Sequence, residues 1–163
     1  MKKIFFIISL ISSFSLAQVS QQEFELIKTY KQNLVDKDMN QTIQSLKNLI
    51  DYYKGETQYH ISLGYIYQLQ RNRKLAKQHL EKGRTYVMDQ LINSTKLSMS
   101  NKQAMDHVVA LCFAGFEKDC AEMFMLIEAR FVEDEYYMTY DFDTIKKLAE
   151  KQRNSMKEYF TTK

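Results

Sequence analysis

Two cysteines, Cys112 and Cys120, are the residues whose spacing points most directly to chemistry. A turn predicted over residues 115–118 would place Cys112 about one helical turn before it and Cys120 just after it. Two antiparallel helices bring such positions close, so the pair can form a disulfide. Two buried free thiols are the alternative. A redox-active pair is disfavoured, because the spacing is not C-x-x-C and neither cysteine has a histidine beside it in the sequence.

The three histidines, His60, His79 and His107, fall in three different predicted helices. None has the H-x-x-x-H or H-E-x-x-H spacing that places two metal ligands on one helix face. We therefore predict structural or surface roles for them and no metal site. Met105 and Met123 lie on apolar helical stripes, which favours core packing over ligation of a soft metal.

Acidic residues interrupted by tyrosines form a cluster near the C-terminus, consisting of Glu133, Asp134, Glu135, Asp141 and Asp143. The cluster lacks the spacing and the glycine of an EF-hand loop. We interpret it as a solvated linker, with a recognition surface or weak calcium site as the alternative. The sequence has no G-x-S-x-G motif, no glycine-rich phosphate loop and no paired-carboxylate signature. We therefore predict no catalytic residue, no enzymatic activity and no cofactor.

The first residues have the form of a secretory signal peptide. Lys2 and Lys3 precede an apolar run over residues 4–14 that is too short to span a bilayer. Small residues at 15–17 offer a cleavage site before Gln18. We expect residues 1–17 to be removed, leaving a periplasmic or secreted product with no membrane span; an uncleaved membrane anchor is the alternative. Export would favour oxidation of the cysteines.

The charge balance argues against nucleic acid as a partner. The chain carries 23 lysines and arginines against 20 aspartates and glutamates, and two of the lysines lie in the predicted leader. The mature chain is therefore nearly neutral and lacks the clustered basic face that nucleic-acid binding requires.

The chain has no proline and only four glycines, a composition that favours an all-α fold over a β-rich one with its frequent turns. Apolar residues at helical spacing predict a first helix from about Gln21 to Val35. They further predict helical hairpins over about 21–90, another hairpin over about 101–132 and a terminal helix over about 142–161. We expect these to form a single domain over residues 18–163.

The segment from His60 to Gly83 has the most regular pattern of small and large residues. The residues that carry the pattern are Leu63, Gly64, Tyr67, Ala76 and Leu80. Gly64 and Ala76 would let two helices approach closely, while Leu63, Tyr67 and Leu80 would fill the space between them. The segment resembles a tetratricopeptide repeat, with its W-x2-L-G-x2-Y and A-x3-F motifs.

The resemblance departs from the family pattern at several positions. His60 replaces the tryptophan, and Met88 stands where the family has a helix-ending proline, so we expect the fourth helix to run past Tyr86. One repeat length earlier, Tyr30 and Leu46 take the places of Gly64 and Leu80, which makes a degenerate repeat. The resemblance implies stacked antiparallel hairpins in a short α-solenoid; an irregular helical bundle is the alternative.

Such repeats bind their ligands on a concave face made by the first helix of each pair. The resemblance implies that this groove is lined by Phe24, Ile27, Lys31, Ile61, Tyr65 and Gln68. These residues lack the Lys/Asn clamp that holds a terminal carboxylate in relatives, so a hydrophobic or helical segment is the expected ligand. In the alternative, the terminal helix of the chain itself fills the groove.

The function expected from the sequence is non-catalytic binding of a protein or peptide by an exported helical-repeat protein. A metal-handling or enzymatic periplasmic protein would instead assemble a site from histidine, cysteine and acidic groups that the fold brings together. A structural accessory protein of the envelope is a further alternative. The sequence does not indicate the partner or the oligomeric state.

Overall fold

The structure, a computed structural model, describes residues 20–93, 97, 99–130 and 141–161. Within these ranges it contains helices and connecting turns and no strand, so the predicted all-α class is confirmed. The predicted signal peptide and most of the acidic cluster, residues 133–135, lie outside the described residues. The helices are α1 (Gln21–Val35), α2 (Met39–Tyr52), α3 (Tyr59–Leu69), α4 (Arg73–Ile92), α5 (Asn101–Ala114), α6 (Glu117–Arg130) and α7 (Phe142–Thr161).

The chain divides into two compact units. Of the described residues, the first unit contains 20–86 and the end of α7 from Ser155. The second unit contains the described residues between Val87 and Asn154.

The first unit begins with an antiparallel hairpin of α1 and α2, in which each helix starts at a side-chain cap. The Ser20 hydroxyl accepts a hydrogen bond from the backbone N–H of Glu23, and the Asp38 carboxylate accepts one from that of Gln41. These caps satisfy backbone donors that have no partner within the helix. Helix α2 packs against both α1 and α3.

The buried side chains of this hairpin recur at helical spacing, as the sequence predicted. On α1 and α2 they include Tyr30, Leu34, Leu46, Leu49 and Ile50. The Tyr30 ring also meets the edge of the Tyr59 ring on α3, with centroids 6.3 Å apart. Helix α1 therefore contacts the first helix of the next pair as well as its own partner.

Helix α4 continues past Tyr86 to Ile92, as the absence of proline at Met88 led us to expect. Its last turn, which lies in the second unit, is capped by a side chain from α6. The Arg130 guanidinium donates hydrogen bonds from Nη1 to the carbonyl of Leu91, at 3.0 Å, and from Nη2 to that of Ile92, at 3.3 Å. A cation at this position satisfies C-terminal carbonyls and complements the helix dipole.

The second unit also contains the hairpin of α5 and α6, which pack against each other. Ser100 begins α5 with a capping box, in which its hydroxyl accepts from the N–H of Gln103 and the Gln103 side chain accepts from the N–H of Ser100. Gly115 ends α5 in the left-handed conformation at φ 86°, which a residue without a β-carbon adopts at little cost. Sequence and structure therefore agree on where this hairpin turns.

Helix α7 buries residues at helical spacing along one side, namely Ile145, Ala149, Gln152 and Met156. Its first part belongs to the second unit, and its end, which includes Met156, belongs to the first. Among the helices described, none combines the length and the apolar character needed to cross a bilayer.

Candidate functional site

Helices α3 and α4 are in close contact at two glycines, where the backbone of one helix lies against a residue of the other. A β-carbon added to Gly64 would lie 2.7 Å from Leu80 Cγ and 2.9 Å from the Leu80 backbone nitrogen. A β-carbon added to Gly83 would lie 2.6 Å from Ile61 Cγ1 and 2.8 Å from the Ile61 backbone nitrogen. The two contacts run in opposite directions along the helices, so α3 and α4 form an antiparallel pair whose spacing only glycine permits at these positions.

The other residues predicted to interlock the pair are all in the interior. Leu63 is fully buried on α3, Tyr67 is buried one turn later, and Ala76 and Leu80 are buried on α4. Gly83 was singled out only as the end of the repeat segment, with no packing role assigned to it. Its position one turn beyond Leu80, on the same side of α4, is the sequence signal that could have identified it.

The residues predicted to line a groove divide into two groups. Ile61 and Tyr65 on α3 are only 2% and 5% exposed, and the Ile61 side chain lies against Gly83 of α4. Ile61 therefore packs within the helix pair and does not line an open groove in this structure. Gln68, at the end of α3, is exposed.

The three predicted groove residues on α1 remain accessible. Phe24 is 57% exposed, and Ile27 and Lys31 are half-buried. Val35 continues the same side of the helix and is 44% exposed. These positions follow i, i+3, i+7 and i+11, and they lie beside the buried side of α1. We call the set Phe24, Ile27, Lys31 and Val35 the α1 stripe.

The α3/α4 crossing also joins two histidines, which sequence reasoning had placed on separate helices without connecting them. The Nδ1 atoms of His60 and His79 lie 2.7 Å apart, and the ring centroids lie 4.9 Å apart. His60 Nε2 is 3.1 Å from the carbonyl oxygen of Gly55. The Tyr67 ring also lies beside the His79 ring, with its centroid 5.5 Å from that of His79.

This network assigns the tautomers of both rings. A carbonyl oxygen can only accept, so His60 Nε2 must carry a proton and donate to Gly55. In neutral His60 the Nδ1 atom is then an acceptor, so His79 donates from its Nδ1–H. The contact between the two histidines follows from the pairing of α3 with α4, because His60 faces Gly83 and His79 lies one turn before Gly83 on α4. Spacing within either helix alone does not indicate it.

The surroundings of the pair favour the neutral forms. Burial lowers the pKa of His60, and the nearby positive charge of Lys82 lowers it further. Burial lowers the pKa of His79 to about 4, with added effects of His60, Lys82 and Lys47. The same positive charges would disfavour a metal cation between the rings.

A buried carboxylate ties the start of α1 to the end of α2. The Tyr53 hydroxyl donates a hydrogen bond to Glu23 Oε1, and the Tyr52 hydroxyl lies 2.8 Å from the Ser20 hydroxyl oxygen. Burial raises the pKa of Tyr53, and the hydrogen bond to Glu23 raises it further, so the phenol stays protonated and able to donate. Glu23 is buried, and the sequence gave no reason to place a carboxylate inside.

Cys112 and Cys120 form the predicted disulfide, which links the end of α5 to the start of α6. Their Cα atoms are 5.3 Å apart, and both residues are buried. Only eight positions separate them in the sequence, so the bond closes the turn between the two helices. This arrangement suits a structural crosslink and leaves the sulfur atoms inaccessible to thiol exchange.

Within the described ranges, no group of three or more histidine, cysteine, aspartate or glutamate side chains is arranged to hold a metal ion. His107, the third histidine, is half-buried on α5, and burial lowers its pKa to about 4. Asp141 and Asp143, the described members of the acidic cluster, are both exposed at the start of α7.

Comparison of the chain with models of protein families, with curated proteins and with solved structures finds no match.

Proposed function

We propose that this chain is a non-catalytic helical-repeat protein of tetratricopeptide type that is exported and binds a protein or peptide partner. Two features of the first unit support the repeat. The glycine contacts of α3 and α4 occur at the positions where the family's small residues stand or close to them, and α1 meets both α2 and α3. The predicted leader sequence supports export.

The single observation that carries the binding role is the exposure of the α1 stripe. Large apolar side chains that are exposed among the described residues are few, namely Phe24, Val35, Ile92, Leu97 and Met125. Phe24 and Val35 lie on the same side of one helix, with the half-buried Ile27 and Lys31 between them. An aligned apolar row of this kind is more typical of a docking surface than a single exposed side chain is.

The chemistry of the α1 stripe favours an apolar partner segment that carries an acidic group. Phe24, Ile27 and Val35 would contact apolar side chains spaced along a partner helix. The Lys31 ammonium, between the apolar positions, would pair with a carboxylate of the partner and set its register. The stripe has one cation, and the carboxylate clamp of peptide-binding relatives is missing from it.

The burial of the predicted groove residues on α3 favours α1 as the helix that contacts the partner. Helix α3 packs against α2 and α4. The sequence predicted that Ile61 and Tyr65 face a groove, but both are buried. The end of α7 from Ser155 belongs to the same compact unit. We infer that the buried Ile61 and Tyr65 close most of the α3 part of the groove, which leaves the α1 stripe and Gln68 as the accessible part.

Substitution of Phe24 by aspartate tests the proposal. Phe24→Asp replaces the most exposed apolar side chain of the α1 stripe by a charge and should reduce capture of envelope or extracellular partners at least tenfold, a loss of about 1.4 kcal/mol in binding free energy. Because Phe24 is exposed, helical circular dichroism and thermal unfolding should be unchanged.

Met125→Asp is the matched control. Met125 is an equally exposed apolar residue, at 59%, and it lies on α6 in the other unit. The proposal requires that Phe24→Asp lose the partner while Met125→Asp retains it. Equal recovery by both variants, in quantitative mass spectrometry of the captured material, would contradict the assignment of the α1 stripe.

A further inference from the structure

We propose that the hydrogen bond between His60 and His79 is a proton-sensitive contact, which holds α3 to α4 at neutral pH and weakens their pairing as the surroundings acidify. The contact lies beside the close approach of the two helices at Gly83. His60 is buried, its Cβ would lie 3.3 Å from a β-carbon on Gly83, and its Nδ1 is 2.7 Å from His79 Nδ1.

The proton count explains the sensitivity. At neutral pH the pair holds two ring protons, one on His60 Nε2 facing the Gly55 carbonyl and one on His79 Nδ1 facing His60. A first added proton can bind His79 at Nε2 and leave the shared hydrogen bond in place. A second must bind His60 at Nδ1, which is the acceptor of that bond, so two N–H groups would then point at each other. Double protonation therefore breaks the contact.

The charged groups around the pair oppose an added positive charge, although the hydrogen bond to the Gly55 carbonyl favours protonation of His60. From α4 Lys82 acts on both rings, and from α2 Lys47 acts on His79. From the turn before α3 the Gly55 carbonyl accepts from His60, and from α3 the Tyr67 ring lies against His79. Among the described residues, the charged side chains that act on the rings are thus both lysines, and each opposes protonation of the folded pair.

The direction of the pH effect follows from this environment. The pKa of His79 is about 4 in the folded chain, against about 6.5 for an unperturbed histidine. The unfolded chain therefore binds a proton at a higher pH than the folded chain does. The stability that the folded chain gains from keeping His79 neutral is complete above pH 6.5 or so, and it is lost as the pH falls from there towards about 4.

Nuclear magnetic resonance tests the geometry directly. Two-bond proton–nitrogen correlations at neutral pH should show the Nε2–H tautomer for His60 and the Nδ1–H tautomer for His79. The His79 signals should titrate well below those of a free histidine. If both rings are Nε2–H tautomers, or if His79 titrates at about 6.5 or above, the proposal is overturned.

Chemical unfolding of a variant tests the consequence. His79→Gln keeps a side-chain N–H that can donate to His60, but it cannot titrate. Between about pH 7 and about pH 5, the folding equilibrium constant of the parent should fall about tenfold more than that of His79→Gln. His107→Gln is the matched control, because it removes another half-buried histidine of low pKa, from the second unit. The folding equilibrium constant of His107→Gln should still show the pH dependence that His79→Gln removes. Parallel pH profiles for the parent and His79→Gln would overturn the proposal; if His79→Gln does not fold, the resonance titration of the parent decides.

Discussion

Gly64 and Gly83 occupy places where the backbone of one helix meets the neighbouring helix with no side chain between them. The atoms nearest to each include a backbone nitrogen of the opposite helix, which cannot move aside as the end of a long side chain can. A glycine inside a helix normally lowers stability by roughly 1 kcal/mol relative to alanine. Here the close contact that glycine allows outweighs that cost.

Replacement of Gly83 by alanine should therefore destabilise the protein. We expect the free energy of unfolding to fall by about 2 kcal/mol, because the added methyl group must push against Ile61 and its backbone. Urea unfolding followed by circular dichroism measures the change. Gln78→Ala, at an exposed position of the same helix, is the control and should change stability by less than about 0.5 kcal/mol. A Gly83→Ala variant more stable than the parent would show that the helices are not in contact there.

Tyr53 matters because it is a donor to a buried carboxylate. Removing its hydroxyl in Tyr53→Phe leaves Glu23 short of a hydrogen bond and should cost about 1–3 kcal/mol of unfolding free energy. Tyr52→Phe is the matched control, since the Tyr52 hydroxyl bonds an exposed serine, and it should cost much less. A double-mutant cycle of Tyr53→Phe with Glu23→Gln measures the coupling, and additive effects would argue against a direct bond.

At the residue scale, spacing within one helix was enough to predict burial. Contacts between two helices were predicted only across a short turn, as for Cys112 and Cys120. The burial of Leu63 and Leu80 follows from spacing within a helix. The His60–His79 contact depends on the register between α3 and α4, which spacing within either helix does not fix. The buried Glu23 was not predicted for the same reason, since its partner Tyr53 lies thirty positions away.

At the scale of elements, helix ends were predictable where a cap or a stop is coded locally. Ser100, a residue type that favours helix starts, caps α5 and makes a full capping box with Gln103. Gln58 precedes α3 without a side-chain cap hydrogen bond, and the Thr57 hydroxyl accepts a 3.3 Å hydrogen bond from the Tyr59 N–H. The buried position of Tyr59 against Tyr30 shows that packing also acts where this helix begins.

The α5/α6 hairpin depends on its disulfide. Replacing both Cys112 and Cys120 by serine opens a short loop and should lower the free energy of unfolding by about 2–3 kcal/mol. Differential scanning calorimetry with and without reductant measures the effect. The parent should lose stability only when the reductant reaches the buried bond, and the double variant should not respond to reductant. If the double variant is as stable as the parent, the bond contributes nothing to the folded state.

At the scale of the whole molecule, composition and periodicity predicted the fold class correctly, and they placed the helical hairpins close to where they lie. They did not predict which parts of a groove stay open. Whether Ile61 and Tyr65 are accessible depends on what packs over α3, and segments distant in sequence determine that. Stacking of the hairpins into a superhelix remains a prediction.

Binding of another protein at the α1 stripe is the central claim about this molecule. The most direct measurement is site-specific photo-crosslinking in the native host, with a photoreactive phenylalanine analogue at position 24 and, as control, at position 125. We predict a discrete protein adduct at position 24, whose crosslinked peptide is apolar and carries an acidic residue, and no such adduct at position 125. The same set of adducts at both positions, or none at position 24, would contradict the account.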